Sequence, residues 1–358
     1  MKILYGVQGT GNGHITRARA LNEEFARLGM DVDYLFSGRN KDDYFDMACF
    51  GDYRVFEGLS FVAIDGRISL LSSYRKANIM GLIRDIRALD LSDYDLVITD
   101  FEPISAWAAK RQNIPCIGIG HQYALGYDIP KYQGDAVGSW ILSRFAPVPR
   151  SIGVHWHHFD QPILPPIIQR HNDVTKPQDD HVLVYLPFEN SEEVMEWLER
   201  VPNYKFRVHC KDIEPGCYGN IKVFPFSRDQ FQQNLKECES VLCNAGFELN
   251  SEALQMGRRI LVKPLHGQVE QLSNMIALEQ LGFAQGSKEL SAEVINQWLE
   301  SSKVVKVDYP DVAKAIAEWI AAGAEEPIEQ LSQRLWDCVP LANGIQFQRA
   351  EAQYSIAS

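Results

Sequence analysis

Residues 243–283 read CNAGFELNSEALQMGRRILVKPLHGQVEQLSNMIALEQLGF, and they alternate between strand-like and helix-like patterns. The apolar run Ser240–Cys243 predicts a strand that leads into a loop at Gly246. A helix is predicted over Glu248–Gln255, and a further strand over Arg259–Val262. A strand, a glycine turn, a helix and a second strand in this order are typical of a parallel sheet with crossover helices.

The polar residues of this stretch suit a ligand that carries both phosphate and sugar. Gly246 permits a tight turn, so that the free amides and the positive end of the next helix can face a diphosphate. Glu252 lies one turn further on, where its carboxylate can accept from two adjacent ribose hydroxyls. Glu270 and Gln271 follow the next strand and can bind sugar hydroxyls. An ordinary strand–helix–strand unit with incidental polar residues is the alternative.

The spacing resembles the donor-binding signature of the GT-B glycosyltransferases that use nucleotide sugars. These include the UDP-glycosyltransferases and the N-acetylglucosaminyltransferase of lipid II synthesis. The matching positions are Gly246, Glu252, Gly257, Pro264, Glu270, Gln271 and Asn274. Two positions depart from the pattern, since Asn244 replaces a histidine or arginine and Leu249 replaces a serine or threonine. Asn250 and Ser251 are the candidates to supply the missing phosphate contact.

The resemblance implies an α/β GT-B fold, in which two Rossmann-like domains with parallel sheets face an interdomain cleft. We expect an acceptor-side domain over 1–160, an interdomain linker over 161–178 and a nucleotide-sugar domain over 179–327. A helical segment over 328–358 is expected to pack back on the first domain. The linker is placed where the alternation of strands and helices fails and prolines cluster, at Pro162, Pro165, Pro166 and Pro177.

Composition narrows the class of protein further. The chain has 358 residues, 46% of them hydrophobic, which is enough for two domains with separate cores. A formal charge of −12 excludes a general nucleic-acid binder, so any anionic ligand must be held locally. Seven scattered cysteines without a C-x-x-C pair argue against a disulfide framework. No apolar run is long enough to span a membrane, and a cytoplasmic protein is therefore predicted.

A second glycine loop follows the first predicted strand. Its sequence is QGTGNGH, with Gly9, Gly11 and Gly13 directly before His14. Such a loop suits a phosphate or the polar end of an acceptor, although it can also be a simple strand-to-helix turn. A dinucleotide fingerprint would place its third glycine one residue later and an acid after the second strand. Arg39 stands near that place, which disfavours a Rossmann cofactor and leaves only a phosphorylated dinucleotide open.

The same loop contains the main catalytic candidate. His14 and Thr16 occupy positions that match the glycine loop and following histidine of the lipid II enzyme. A neutral imidazole at His14 can take the proton of an acceptor hydroxyl. Asp100 ends a predicted strand where related plant transferases have an aspartate, and it is expected to orient His14. Alternatively, His14 caps its own helix and Asp100 caps the helix near Ile104.

Four further residues are predicted to lie at the cleft because they stand where strands end. His121 and Gln122 end the strand IPCIGIG and resemble a stretch that faces the acceptor in the lipid II enzyme. Phe226 and Ser227 follow a strand of the second domain and are predicted to contact the base and phosphates of the donor. All of these groups would meet at the carboxyl ends of parallel strands.

Neither a metal nor a separate cofactor is expected. His155 and His157 in GVHWHHF would share one face of a strand, but two imidazoles make a poor metal site. The stretch 139–153 combines tryptophan, aliphatic residues and arginines. It predicts either core packing or peripheral contact with a membrane or a lipid acceptor.

The predicted activity is sugar transfer from a nucleotide-diphosphate sugar, UDP-linked, to the hydroxyl of a glycan, lipid or small molecule. Inversion at the anomeric carbon without a metal follows from the resemblance. Three alternatives remain: a nucleotide-sugar epimerase or hydrolase of similar fold, a non-catalytic nucleotide-sugar sensor, and an oxidoreductase. Turnover of donor without acceptor identifies the first, and indifference of every rate to loss of His14 identifies the second.

Overall fold

The computed structural model describes residues 1–59, 63–64, 66–68, 78–132, 144–169, 177, 180–301 and 303–340. The first half contains β1 (Lys2–Gln8), α1 (Asn12–Arg27), β2 (Asp31–Ser37), β3 (Tyr53–Phe56), β4 (Ala63–Ile64), β5 (Arg67–Ile68), α2 (Ile79–Ala88), β6 (Leu96–Asp100), α3 (Pro103–Gln112), β7 (Cys116–Gly120), α4 (His121–Ala124) and β8 (Arg150–Gly153). Short 3₁₀ turns lie at Lys41–Asp43 and Ala48–Phe50.

The second half repeats the alternation of strands and helices. It contains β9 (His181–Tyr185), α5 (Ser191–Glu199), β10 (Lys205–His209), β11 (Gly216–Tyr218), β12 (Ile221–Phe224), α6 (Arg228–Glu237), β13 (Ser240–Asn244), α7 (Phe247–Gln255), β14 (Arg259–Lys263), α8 (Val269–Gln280), β15 (Gln285–Gly286), α9 (Ala292–Ser301), α10 (Val312–Ala321) and α11 (Ile328–Trp336).

Each half is built on a doubly wound sheet. The first sheet has the order β3-β2-β1-β6-β7-β8 and is parallel throughout. The second has the order β11-β12-β10-β9-β13-β14-β15, in which β11 alone is antiparallel. Apart from β11 and the small β4–β5 hairpin, both follow the Rossmann order 3-2-1-4-5-6. The predicted α/β fold with two Rossmann-like units is confirmed, and ligands are expected where the strand order reverses.

The central strands are apolar because helices cover both faces of each sheet. Strands β6 and β13 are buried along their whole length, as is typical of parallel sheets. One apolar core extends through both halves and includes Val7, Phe25, Val241, Ile316 and Trp336. The carboxyl ends of the two sheets are therefore held close together by shared buried packing.

The last helices connect the second half to the first. Helix α10 packs along α1. In α11, Ser332 Oγ and Trp336 Nε1 donate to the carbonyl oxygen of Ile163 at 2.8 and 2.6 Å. The segment predicted over 328–358 thus begins with α11, which is hydrogen-bonded to Ile163. Residues 341–358 lie outside the described residues.

Two local expectations were wrong. Strand β8 was not predicted, because a four-residue strand directly after Pro147 and Pro149 gives almost no periodic signal. It ends at Gly153, so His155 and His157 follow the strand and do not lie on it. Of the stretch 139–153 with its apolar and arginine residues, 139–143 fall outside the described residues. No helix among the described residues is long and apolar enough to cross a bilayer.

Candidate functional site

The site is organised around a histidine–aspartate pair in the first half. Strand β6 ends at Asp100. His14 lies in the first turn of α1, the helix that follows β1, and β1 is paired with β6 in the sheet. His14 Nδ1 lies 2.7 Å from Asp100 Oδ1; the histidine side chain is 14% exposed and the aspartate fully buried. Arg17 Nη2 also lies 3.2 Å from Nδ1, but the aspartate contact is shorter. A carboxylate only accepts, so we assign the hydrogen to Nδ1, which leaves Nε2 with its lone pair. His14 is thereby set up as a base, as in other histidine–aspartate pairs.

The capping alternatives are excluded by the ends of the two helices. Glu102 caps α3, accepting from the amides of Ile104 at 2.9 Å and Ser105 at 2.6 Å. Asp100 therefore does not cap α3, and its carboxylate bonds the side chains of His14 and Arg17. Gly11 is the N-cap residue of α1, and no side chain caps that helix. The helix starts at Asn12, which places His14 within its first turn.

Arg17 is a third member of this cluster that the sequence analysis missed. It lies one turn after His14 on α1 and is 1% exposed. Its Nε and Nη2 donate to Asp100 Oδ2 and Oδ1 at 2.7 and 2.6 Å. Burial raises the pKa of Asp100, but Arg17 and His14 lower it by more, so the net shift is downward and the carboxylate is ionised. Burial alone would lower the pKa of Arg17, but the carboxylates of Asp100 and Glu248 raise it by more, so the net shift is upward.

The same guanidinium reaches the second half of the molecule. Arg17 Nη1 donates to Glu248 Oε1, in the first turn of α7. Glu248 also contacts the glycine loop that follows β1, since a Cβ on Gly13 would lie 2.5 Å from Glu248 Oε2. The two glycine loops, one after β1 and one after β13, therefore face each other.

The start of α7 is open to a ligand. Gly246 is its N-cap residue, and no side chain caps the helix amides. A Cβ built on Gly246 would meet no atom within 4 Å. Unpaired amides and the positive helix end beside empty space form a ready anion site. The glycine loop that carries His14 is adjacent, since Gly13 lies against Glu248 in the first turn of this helix.

A cleft of about 620 Å³, including its open mouth, separates the two halves near these loops. The first half contributes Asn12, Ile15, Thr16, Arg19, Arg39 and Phe45. The second half contributes Tyr185, His209, Phe226, Ser227, Arg228, Phe231 and Gln232. Its described lining includes three arginines and no carboxylate, which favours an anionic ligand despite the acidic chain.

The family model for glycosyl transferase family 1 matches residues 1–302 of the chain. The chain belongs to this family. A curated "uncharacterized glycosyltransferase" of Methanosarcina mazei is 28% identical over 130 residues. That match covers 34% of this chain and 34% of the relative's length.

Solved structures share the fold of this family 1 protein at low identity. The kitacinnamycin glycotransferase aligns with a TM-score of 0.55 at 15% identity, covering 95% of this chain and 99% of that one. MurG of Acinetobacter baumannii aligns with a TM-score of 0.53 at 14% identity, covering 97% of this chain and 96% of that one. LpCGTa, solved in complex with UDP, aligns with a TM-score of 0.55 at 14% identity, covering 94% of this chain and 98% of that one. These likenesses establish the GT-B fold.

The Glu252 side chain in the family 1 protein is more buried than is expected of a residue that binds a ribose. Its side chain lies in α7 and is 3% exposed. Its Oε2 accepts from Gln232 Nε2 at 3.1 Å, and Gln232 itself lines the cleft. Burial raises the pKa of Glu252 from 4.5 to about 7, a shift that the bond from Gln232 only partly offsets. The carboxyl group is next to the cleft but covered from it.

Replacing Glu252 with glutamine is expected to stabilise the protein at high pH. Between about pH 4.5 and 7 the folded state keeps a proton that the unfolded chain has lost, so wild-type stability falls as pH rises. Glu252→Gln removes this loss, and at pH 8 we expect a gain on the order of 3 kcal/mol. Urea unfolding from pH 4 to 8 measures it.

Glu237→Gln is the matched control, because bonds from Gln233 and Arg207 lower the pKa of the Glu237 carboxyl. This control should instead lose stability at neutral pH, since a lowered pKa contributes stability above its ordinary range. Parallel pH profiles for wild type and Glu252→Gln would contradict the assignment.

His121 is an interior residue and does not face an acceptor, contrary to expectation. It is fully buried and stacks on Phe247, with ring centroids 4.1 Å apart. Its Nδ1 lies 3.0 Å from Val154 O and its Nε2 lies 2.6 Å from Asn274 Oδ1. Both ring nitrogens are thus bound within the protein. Because α4 belongs to the first half and α8 to the second, His121 helps to join the halves.

The remaining predicted donor residues lie on the second half, at varying access. Gln122 Nε2 donates to Glu270 Oε1 at 3.1 Å, so these two predicted site residues are neighbours across the halves. Gln271 Oε1 accepts from the amide of Leu265 at 2.9 Å. Ser227 caps α6 and lines the cleft together with Phe226, which is 36% exposed.

Neither candidate for the missing phosphate contact is available. Asn250 Nδ2 donates to Gly246 O at 2.6 Å. Ser251 Oγ donates to Phe247 O at 2.7 Å and accepts from Trp156 Nε1. Both side chains are buried and stabilise the start of α7.

A buried cation lies beside Asn244, where the sequence analysis expected none. Asn244 Nδ2 donates to Glu189 Oε1 at 3.0 Å, while Lys263 Nζ pairs with Glu189 Oε2 at 2.8 Å. Asn244 and Lys263 are register partners in β13 and β14. The signal in the sequence was a lysine at the end of the neighbouring strand.

The other glycine-loop residues pack as a turn. A Cβ on Gly9 would lie 2.1 Å from Tyr44 Oη, so only glycine fits there. Gly11 has open space around its Cα. Thr16 Oγ1 donates to Asn12 O at 3.2 Å and lines the cleft. Among the residues that the structure describes, no group of three or more His, Cys, Asp or Glu side chains is arranged to bind a metal.

Proposed function

We propose that the protein transfers a sugar from a UDP-linked donor to an acceptor hydroxyl, with inversion and without a metal. One observation carries the proposal: His14, oriented by Asp100 at 2.7 Å, directly follows Gly13, which lies against Glu248 in the first turn of α7, a helix with an uncapped start at Gly246. A base close to a free helix start is what such a reaction needs. The similar folds of LpCGTa and VinC were solved with UDP and dTDP, which supports a pyrimidine nucleoside diphosphate, and we propose UDP.

The donor would lie along the second half. The amides at the start of α7 would bind the diphosphate, and Phe226 and Ser227 would contact the base. Gln232, which lines the cleft and holds the Glu252 carboxyl group behind it, would contact the ribose. Glu270 and Gln271 would bind the sugar. Residues 1–160 would then receive the acceptor and 179–327 the donor, with 161–178 as the connection.

The proposed step is a single displacement. The acceptor oxygen attacks the anomeric carbon while its proton passes to His14 Nε2, and the bond from that carbon to the diphosphate oxygen breaks. Asp100 holds His14 in the tautomer that leaves Nε2 unprotonated. The departing diphosphate gains charge beside the α7 amides, where fixed dipoles stabilise it. Attack from the side opposite the leaving group inverts the anomeric centre.

A cytoplasmic site of action remains part of the proposal, as does peripheral contact with a membrane. The seven cysteines are free thiols, which suits a reducing compartment. The acceptor is a glycan, a lipid or a small molecule.

A thermal-shift screen with a charge-reversal variant tests the donor site. UDP at a hundredfold excess over its dissociation constant should stabilise the wild type by about 2.7 kcal/mol. Gly246→Asp should fold normally, because its new side chain enters open space, and should lose the UDP shift through repulsion. Gly216→Asp, on edge strand β11 away from the cleft, is the control and should keep the shift.

The proposal fails if no nucleoside diphosphate stabilises the wild type. It fails equally if UDP stabilises Gly246→Asp as well as it stabilises the wild type. GDP, ADP, dTDP and NAD in the same screen decide the base of the donor and test the dinucleotide alternative.

A further inference from the structure

The charges around His14 do not balance within the first half alone. A base that accepts a proton becomes a cation, and it needs a nearby net negative charge to stabilise it. Asp100 is the carboxylate in contact with His14, but both of its oxygens accept from Arg17. Arg17 and Asp100 together are neutral, so the pair alone offers an imidazolium little stabilisation.

The second half supplies the missing negative charge. Glu248, in the first turn of α7, accepts from the remaining nitrogen of Arg17, whose Nε, Nη1 and Nη2 all then have carboxylate partners. Arg17 is 1% exposed and Glu248 13% exposed, so solvent screens this interaction only weakly. Two carboxylates and one guanidinium carry a net charge of about −1, which a proton on His14 would bring to zero.

Two buried phenols near the cluster leave this balance unchanged, whereas Glu252 interacts with Glu248 and, with a pKa raised by burial to about 7, adds negative charge only above that pH. Tyr5 lies close to Asp100, Arg17 and Glu248, and Tyr123 close to Asp100. Burial raises the pKa of both phenols well above the usual value, so both are neutral. The described charged groups that face the pair are therefore Arg17 on α1, Asp100 on β6 and Glu248 on α7.

We propose that Glu248 is a positioning residue that activates His14 from the opposite half, by neutralising Arg17 so that the charge of Asp100 is available to the imidazolium. This inference rests on the proposed role of His14 as the base. Because Glu248 begins the helix proposed to bind the diphosphate, the base is fully effective only when the two halves are in contact. Proton transfer from the acceptor is thereby tied to the presence of the donor side.

A histidine NMR titration of the ligand-free protein tests this without any substrate. The His14 Cε1 proton resonance is assigned by its absence in His14→Gln. In Glu248→Gln, which keeps the shape and removes the charge, the midpoint of that titration should move to lower pH by about half a pH unit or more. Glu248→Asp, which restores the charge, should recover part of the change.

Glu237→Gln is the matched control, since Glu237 pairs with Arg207 at 2.7 Å within the second half. It should leave the His14 midpoint where it is in the wild type. An unchanged midpoint in Glu248→Gln, or an equal shift in Glu237→Gln, would overturn the inference. If Glu248→Gln does not fold, Glu248→Asp and Glu248→Ala provide the comparison, and the charge-free alanine variant must show the larger shift.

Turnover adds a second readout once a donor is known. Glu248→Gln should lower kcat several-fold at neutral pH and move the acidic limb of the pH profile to lower pH. A purely structural role would lower both kcat and thermal stability without moving that limb. Failure of every UDP-sugar to react would count against the proposed function and would leave the NMR result standing.

Discussion

His14→Ala is expected to lower the rate of sugar transfer by about 10²- to 10⁴-fold while UDP still binds. The imidazole is oriented by Asp100 at 2.7 Å but forms no part of the proposed diphosphate site on α7. Its loss should therefore act on kcat and leave the affinity for UDP within a few-fold of wild type. Initial rates with UDP-sugar donors, together with calorimetric titration of UDP, measure the two effects separately.

His158→Ala provides the control for this substitution. His158 is one-quarter exposed and contacts Trp336 edge to face, away from the cleft. The His158→Ala variant should transfer sugar at the wild-type rate. Asp100→Asn should lose nearly as much activity as His14→Ala, because an amide can leave the wrong nitrogen of His14 protonated. Retention of a third or more of wild-type turnover in His14→Ala would remove His14 from the mechanism.

Arg17→Met is expected to cause the largest loss of stability, about 3–5 kcal/mol near pH 8. The substitution leaves Asp100 and Glu248 ionised and without their cation, and Asp100 is fully buried. The deficit should shrink as the pH falls, because protonation removes the unpaired charges. Urea unfolding followed by tryptophan fluorescence at pH 5 and 8 measures both values.

Arg27→Met is the control for the loss of an arginine on the same helix. Arg27 pairs with Glu24 and Glu318 on the surface, where solvent screens the interaction. Its removal should change stability little at either pH. An equal effect of the two variants would show that the buried cluster adds nothing beyond an ordinary surface pair.

The elements that could be predicted from sequence are those with a local signal. Strand β13, helix α7 and strand β14 lie within one residue of their predicted ends, because a buried strand, a glycine turn and an amphipathic helix each leave a pattern in adjacent residues. His14 and Asp100 could be paired because parallel neighbouring strands deliver their carboxyl ends to one edge.

The parts that could not be predicted depend on contacts between distant segments. Arg17 and Glu248 are 231 positions apart, and their pairing follows from how the two halves pack. The same packing buries His121 against Phe247 and covers Glu252 with Gln232. A position after a strand identifies the edge of the sheet, but it does not determine whether the side chain faces ligand or protein.

A crystal structure of the protein with UDP tests the central claim most directly. We expect the diphosphate beside Gly246, within hydrogen-bonding distance of the amides of Phe247 and Glu248, with its terminal phosphate directed toward His14. UDP bound elsewhere, or a helix start that remains closed to phosphate at saturating UDP, would contradict the account.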